Sequence, residues 1–145
     1  MRTSSYVARI LIFRHDIFRL TIMQPSRFFI SFSQQVIAKG TNFAKSNLQG
    51  CRFYKAYLVN ADFSGADLRG ASLEDTSMDG ASLKDAVAAG SYFGQSLLDV
   101  KTMENADFSD AQIPLKTVPL VCDRDDVKGT NPVTGADTRE SLMCP

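Results

Sequence analysis

Few side chains in this sequence have the types and spacing that catalysis or metal binding needs. His15 is the single histidine, which excludes chemistry that depends on several His ligands or on a His pair. Gly65 and Gly70 have the spacing of a phosphate-binding loop, but Ala71-Ser72 follows where Lys and then Ser or Thr are required. The cysteines include no Cys-x-x-Cys pair; they are Cys51, Cys122 and Cys144. We therefore expect no enzyme activity and no catalytic, cofactor-binding or metal-binding residue.

The elements that would position any site are built on a five-residue repeat. Large residues recur every five positions, and the residue two positions before each of them is small. Lys101 is the exception in this small column, and we expect a local bulge or an outward side chain there. A period of five matches neither the 3.6 of a helix nor the 2.0 of a strand, so the chain must turn once per repeat. Every fifth residue along the run is apolar: Phe43, Leu48, Phe53, Leu58, Phe63, Leu68, Leu73, Met78, Leu83, Ala88, Phe93, Leu98, Met103, Phe108 and Ile113.

Turn-forming residues occupy a third column, two positions after each large residue. Gly, Asn and Asp dominate it, and these residues tolerate the positive φ of a tight turn. The large side chains then point to a common axis. The acids Asp62, Asp67 and Asp107 point outward on flat faces, without the cleft that paired-carboxylate catalysis needs.

The repeat resembles that of the pentapeptide-repeat family. Residues 61–65, 66–70 and 106–110 match its A(D/N)LxX pattern closely. The resemblance implies an all-β fold, a right-handed quadrilateral β-helix with four repeats per coil and about four coils in all. We divide the chain into a basic N-terminal segment (1–40), the β-helix (41–113) and a C-terminal cap (114–145).

The C-terminal residues predict a cap for one end of the solenoid. We expect a short helix from Asp137 to Met143 with Asp137 as its N-cap. A Cys122–Cys144 bridge would close the cap and stabilise it by roughly 3 kcal/mol, and Cys51 is expected to be a buried thiol. An apolar exit segment is expected to lie across the open end; it contains Leu115, Val118, Leu120 and Val121.

The segment from Cys122 to Cys144 also resembles the C-terminal part of the plant and cyanobacterial pentapeptide proteins of the thylakoid lumen. The likeness lies in residues 129–135 and 138–142 and in the two cysteines. It implies an oxidising compartment, which agrees with a structural disulfide. The resemblance therefore implies a chloroplast thylakoid lumen location.

The formal net charge of zero hides two unlike parts. Residues 1–40 carry six bases and one acid, and the rest of the chain carries ten bases and fifteen acids. The front is rich in Arg and Ser, which is typical of a transit peptide, but it lacks the apolar stretch and Ala-x-Ala site of lumenal targeting. A cleaved presequence and an N-terminal cap both remain open. No run of apolar residues is long enough to span a membrane.

Four large residues are predicted to point outward from the third and fourth faces of the solenoid. Exposed aromatic side chains on a flat face can mark a partner site, although the basic front could instead cover them. We take them as the candidate interaction surface: Tyr54, Tyr57, Tyr92 and Leu97.

Three functions remain after these exclusions. The first is a non-enzymatic interaction or scaffold protein of the lumen with an unknown protein partner. The second is an acidic DNA mimic that inhibits a topoisomerase, as in gyrase-binding pentapeptide proteins, but bases interrupt the acids; they include Lys45, Arg52, Lys55, Arg69, Lys84 and Lys101. The third is a lumenal protein regulated by its disulfide. Nucleic-acid binding is not expected.

Overall fold

The computed structural model of the protein describes residues 38–145 except Tyr54. The N-terminal segment predicted over residues 1–40 therefore lies outside the described residues, apart from its last three. The regular elements are short: strands β1 (Ser72–Leu73) and β2 (Tyr92–Phe93), a 3-10 helix (Gln95–Asp99), and helices α1 (Val118–Cys122) and α2 (Thr138–Ser141).

Parallel pairing between residues twenty apart holds the repeat region together. β1 pairs with β2, Ser72 opposite Tyr92 and Leu73 opposite Phe93. Isolated bridges continue the same register along the chain, from Asn42 with Asp62 to Tyr92 with Gln112. Each coil therefore takes twenty residues, or four repeats of five, and stacks directly on the next. Backbone hydrogen bonds between coils alternate with turn bonds within each coil, such as that from the Ser46 N–H to Phe43 O at 3.2 Å.

The large and small columns of the repeat form the core. From Phe43 to Met78 every large residue is at most 2 % exposed. Phe43 stacks on Phe63 one coil away, with ring centroids 5.0 Å apart and planes 7° from parallel. Most of the small residues are buried beside them, and the hydroxyl groups of Ser46, Thr76 and Ser91 donate to the carbonyl oxygen three residues earlier, as Thr76 Oγ1 does to Leu73 O at 2.7 Å. The core is thus a set of ladders running along the solenoid axis.

Outside the irregular stretch at Gln95 and Val100, the turn column has positive φ, and this explains its composition. Lys45, Asn60 and Asp85 have φ of 58°, 58° and 60°, and the glycines of the column lie between 65° and 70°. Gly80 has a second reason to lack a side chain. A Cβ there would lie 2.2 Å from Oδ1 of Asn60, the turn residue of the preceding coil. A side chain at position 80 would therefore displace the Asn60 amide, which favours Gly here.

The repeat changes its geometry between Phe93 and Met103. The 3-10 helix replaces a regular turn here, and Lys101 is exposed. A 3-10 helix has three residues per turn, so Leu97 and Val100 face the axis and are 0 % and 3 % exposed. The prediction that Leu97 points outward is therefore wrong, because it assumed that the five-residue phase continued. Leu98, predicted to be interior, is only partly buried.

The C-terminal residues fold back over the last coil. Asp137 is the N-cap of α2, and its carboxylate accepts from the backbone N–H groups of Arg139 and Glu140. Cys122 and Cys144 are joined, with an S–S distance of 2.02 Å and Cα atoms 5.6 Å apart, and Cys51 is a buried free cysteine.

The apolar exit segment does not cover the end of the solenoid as predicted. Val121 is fully buried, but Leu115 is 90 % and Leu120 55 % exposed. α1 is a single turn and presents one side to the solenoid, so only residues on that side can be buried. Val127 and Leu142, at 2 % and 4 % exposed, provide the remaining apolar contacts of the cap.

Candidate interaction surface

Tyr57 and Tyr92 project from neighbouring sides of the solenoid. Their exposed fractions are 43 % and 45 %, the highest of any aromatic residues in the described part of the chain. In the coil register Tyr57 lies beside Ser77, and Tyr92 lies between Ser72 and Gln112. Because serine is small, one flank of each ring is left uncovered. Each ring is fixed at its backbone by pairing between coils, so it is presented from a rigid base.

Two members of the predicted surface are not part of this arrangement. Leu97 is buried in the core, as described above, and Tyr54 lies outside the described residues. The structure therefore places Tyr57 and Tyr92 on the outside of the solenoid, and Leu97 no longer belongs to the candidate surface. We define the pair Tyr57 and Tyr92 as the tyrosine surface.

Charged and polar side chains surround the tyrosine surface. Glu74, Asp75 and Asp79 are exposed in the coil between the two rings, and Arg52 is exposed one repeat before Tyr57. Two half-exposed aromatic rings within a polar surround have the composition of a protein contact, where Tyr is enriched and charge is kept at the rim. The arrangement can bind a partner side chain or backbone against a flat wall.

Carboxylates of the repeat close turns; of these Asp62 is partly buried and Asp107 is only 3 % exposed, so Asp107 does not lie on an open face as predicted. Asp62 Oδ1 accepts from the Ser64 N–H at 2.9 Å, and Asp107 Oδ1 accepts from the Ser109 N–H at the same distance. Burial opposes ionisation of Asp107, but the hydrogen bonds from Ser109 outweigh it and hold the pKa below its usual value. A carboxylate that stays ionised at neutral pH is a poor proton donor. These acids therefore stabilise the turns by accepting hydrogen bonds from backbone N–H groups two residues later.

Asp67 follows the same pattern with an added ion pair. Burial again opposes its charge, yet hydrogen bonds from Arg69 and Gln49 and the charge of Arg69 lower its pKa. The ion pair measures 2.6 Å between Arg69 Nη2 and Asp67 Oδ2, and the Arg69 side chain is 55 % exposed. Its contribution to stability is small at such exposure.

Two other kinds of site are absent from the part of the chain that the structure describes. No group of three or more His, Cys, Asp or Glu residues there could hold a metal ion. None of the helices in residues 38–145 is both long and apolar enough to cross a membrane.

Sequence reasoning missed a second set of exposed apolar residues, all in the C-terminal cap. The five-residue phase ends at Ile113, so no periodicity assigned a side to any of them. The available signal was the proline directly before each of Leu115 and Leu120. These prolines keep the segment from forming a long amphipathic helix that could bury both leucines on one side. The exposed set comprises Leu115, Leu120, Val133 and Met143.

Comparisons with known proteins agree on the repeat. The family model of pentapeptide repeats matches residues 39–75 and 66–99, with eight copies of the repeat. The crystal structure of a pentapeptide repeat protein from the thylakoid lumen of Arabidopsis thaliana is similar, with a TM-score of 0.66 and 26 % identity. The match covers 80 % of this chain and 85 % of that one. No curated protein matches the sequence.

Proposed function

Since this chain belongs to the pentapeptide-repeat family, we propose that it is a non-enzymatic interaction protein that binds a protein partner through the tyrosine surface. One observation carries the proposal. Tyr57 and Tyr92 are about half exposed on a solenoid whose other described aromatic side chains are buried. A partner that covered both rings would gain their remaining apolar area without moving the backbone that presents them.

We further propose that the protein works in the chloroplast thylakoid lumen. The similar Arabidopsis protein comes from that compartment. The Cys122–Cys144 bridge suits an oxidising environment, where a cap closed by a disulfide persists. About four coils of β-helix closed by such a cap would form a rigid tower whose sides suit scaffolding.

The charge distribution does not favour a DNA mimic. Such mimicry needs an acidic surface that continues along one side of the tower. Here the exposed bases Arg69 and Lys84 lie on the same sides of the solenoid as Asp67 and Asp85, among the acids of the later coils. Bases therefore interrupt the acids within one coil.

The test compares partner capture by three forms of the full chain from thylakoid lumen extract. They are the natural sequence, a Tyr57→Ser/Tyr92→Ser variant, and a Leu115→Ser/Leu120→Ser control that also removes two exposed apolar side chains. Serine is chosen because Ser72 and Ser77 already occupy the neighbouring coil positions. We expect the same proteins to be retained by the natural sequence and the control and lost from the tyrosine variant.

Two results would count against the proposal. If the tyrosine variant retains every partner, the tyrosine surface is not the contact. If instead the purified protein potently inhibits DNA supercoiling by a topoisomerase, the DNA-mimic function replaces the scaffold.

A further inference from the structure

Gly94 lies beside Tyr92 and leaves an open place on the tyrosine surface. The chain has nine glycines, and eight of them have positive φ, whereas Gly94 has φ of −99° and ψ of −165°. A Cβ built at Gly94 would lie 3.6 Å from Asp75 N and 4.0 Å from Glu74 Cα, which are ordinary van der Waals distances. Gly94 also precedes the 3-10 helix, but Ser, Thr, Asp or Asn is favoured there at least as much as Gly. Neither the backbone nor the packing therefore requires a residue without a side chain here.

The missing side chain leaves a recess between Tyr92 and Glu74. Tyr92 and Gly94 are two residues apart on extended backbone, so both face outward and lie about 6–7 Å from each other. Ser72 pairs with Tyr92, so Glu74, two residues after Ser72, lies one coil from Gly94, about 4.8 Å away. We call this space the Gly94 recess; it is bounded by the half-exposed ring of Tyr92 and the side chain of Glu74.

The Gly94 recess lies in the acidic middle of the solenoid. Residues 70–100 hold five acids and one base. That base, Lys84, belongs to the opposite side of the solenoid, which is built on Leu83. Both ion pairs within the described residues lie elsewhere, so neither neutralises a carboxylate near the recess. The exposed acids on the two sides that carry the tyrosine surface are Glu74, Asp75, Asp79 and Asp99.

The exposed bases on these two sides belong to the preceding part of the solenoid. Arg52 pairs in register with Ser72, and Ser72 pairs with Tyr92, so Arg52 is two coils from the Gly94 recess. Lys55 follows on the same coil as Arg52. Two coils span about 10 Å, which exceeds the Debye length of about 8 Å at physiological ionic strength. The repulsion that these two bases exert on a cation in the recess is therefore largely screened.

We propose that the Gly94 recess binds an arginine side chain of the protein partner, with its guanidinium group stacked on the Tyr92 ring and hydrogen-bonded to the Glu74 carboxylate. This inference rests on the proposed function, since it names the chemistry of the partner at the tyrosine surface. A cation within about 6 Å of an aromatic ring centroid is attracted by the negative face of the ring. Arginine fits better than lysine, because its planar guanidinium stacks on a ring while its N–H groups donate to a carboxylate at its edge.

The experiment measures the binding of short blocked peptides to the isotope-labelled full chain by NMR chemical-shift titration. The probes are three peptides with glycine and serine around a central arginine, lysine or citrulline. Citrulline keeps the shape of arginine but has no charge. We expect the arginine peptide to shift the amide signals of Glu74, Tyr92 and Gly94. The lysine peptide should bind about threefold and the citrulline peptide about tenfold more weakly, because citrulline loses both the cation–π contact and the ion pair.

Two variants of the chain test the recess in different ways. Glu74→Gln removes the anion, and Gly94→Leu fills the space. Each has a matched control at the same position of the repeat on another side, Glu104→Gln and Ala89→Leu. Both recess variants should bind the arginine peptide more weakly by a factor of about five or more, and both controls should stay within about twofold of the natural sequence. Melting temperatures establish that each variant is folded; Glu74→Gln alters an exposed side chain, so it decides the matter if Gly94→Leu is destabilised.

Three results of the titration would overturn the proposal. They are no shift of the three amides by the arginine peptide, equal binding of the arginine and citrulline peptides, and unchanged binding by Glu74→Gln. Capture from thylakoid lumen extract separates this inference from the proposed function. If both recess variants retain the partners that Tyr57→Ser/Tyr92→Ser loses, the tyrosine surface is the contact but the Gly94 recess does not hold an arginine of the partner. If the tyrosine variant retains them too, the proposed function is wrong, and so is the inference about its partner.

Discussion

Replacing Asn131 should open the C-terminal cap, because one buried side chain links the cap to the solenoid. Asn131 is 2 % exposed. Its Nδ2 donates to Ala86 O and to Asn105 O, both at 3.0 Å. Its Oδ1 accepts from the N–H groups of Val133 at 2.9 Å and Thr134 at 3.0 Å. The side chain therefore joins two coils of the solenoid to the loop that follows it.

The magnitude follows from these four hydrogen bonds. Each contributes about 0.5–1.5 kcal/mol net, and a buried group left without its partner costs about 1–3 kcal/mol. Water entering the loosened cap would satisfy part of what Asn131→Ala exposes, so we expect a loss of about 3 kcal/mol in the free energy of unfolding. For a chain of this size that lowers the melting temperature by about 12 °C. Asn131→Asp should cost at least as much, because it places a carboxylate against the carbonyl oxygens of Ala86 and Asn105.

The assay is urea and thermal unfolding followed by circular dichroism, with amide hydrogen exchange at Val133 and Thr134 as a local probe. Asn42→Ala is the matched control. Asn42 is exposed, and its Oδ1 accepts one short-range bond from the Ala44 N–H at 2.9 Å. Its loss should cost less than about 0.5 kcal/mol. If Asn131→Ala also stays within about 0.5 kcal/mol of the natural protein, the cap is not held by this side chain and the reasoning is refuted.

Three further changes test other parts of the structure. Cys144→Ser should lower the free energy of unfolding by about 3 kcal/mol; if melting falls but partner binding is unchanged, the bridge is a staple, whereas loss of binding would favour redox regulation. Leu97→Ala should cost about 2–5 kcal/mol in chemical unfolding and Leu98→Ala clearly less, the reverse of the order that the five-residue phase predicts. Asp126 is partly buried, which opposes its charge, but hydrogen bonds from Arg124 and the Met103 N–H lower its pKa below the usual 3.8. The stabilisation that ionised Asp126 provides is therefore present above its unfolded pKa and is lost as the pH falls through its lower folded pKa. Asp126→Asn should accordingly reduce the loss of stability below about pH 4. An unchanged dependence of stability on pH in that range would contradict this.

Much of the tyrosine surface followed from the sequence because the repeat assigns a side to every residue within it. Tyr57 and Tyr92 each precede a large interior residue, so alternation along the strand directs them outward. The same rule failed for Leu97, where the chain forms a 3-10 helix between Gln95 and Asp99. Lys101 marked the irregularity, but a break in a pattern does not specify the geometry that replaces it.

The sequence by itself determined most of the repeat region: its period and, outside residues 94–101, most of its core residues and the positive-φ turns. Each of the fifteen repeats places a large, a small and a turn-forming residue at the same relative positions, so the pattern is visible many times in the sequence. Only the tertiary structure decided how the end of the solenoid is closed. Asn131 reaches carbonyl groups of Ala86 and Asn105, and Arg124 donates to Leu98 O at 2.7 Å and to Val100 O at 2.9 Å. These contacts join residues far apart in the chain, and each occurs once, so no periodicity in the sequence can predict them.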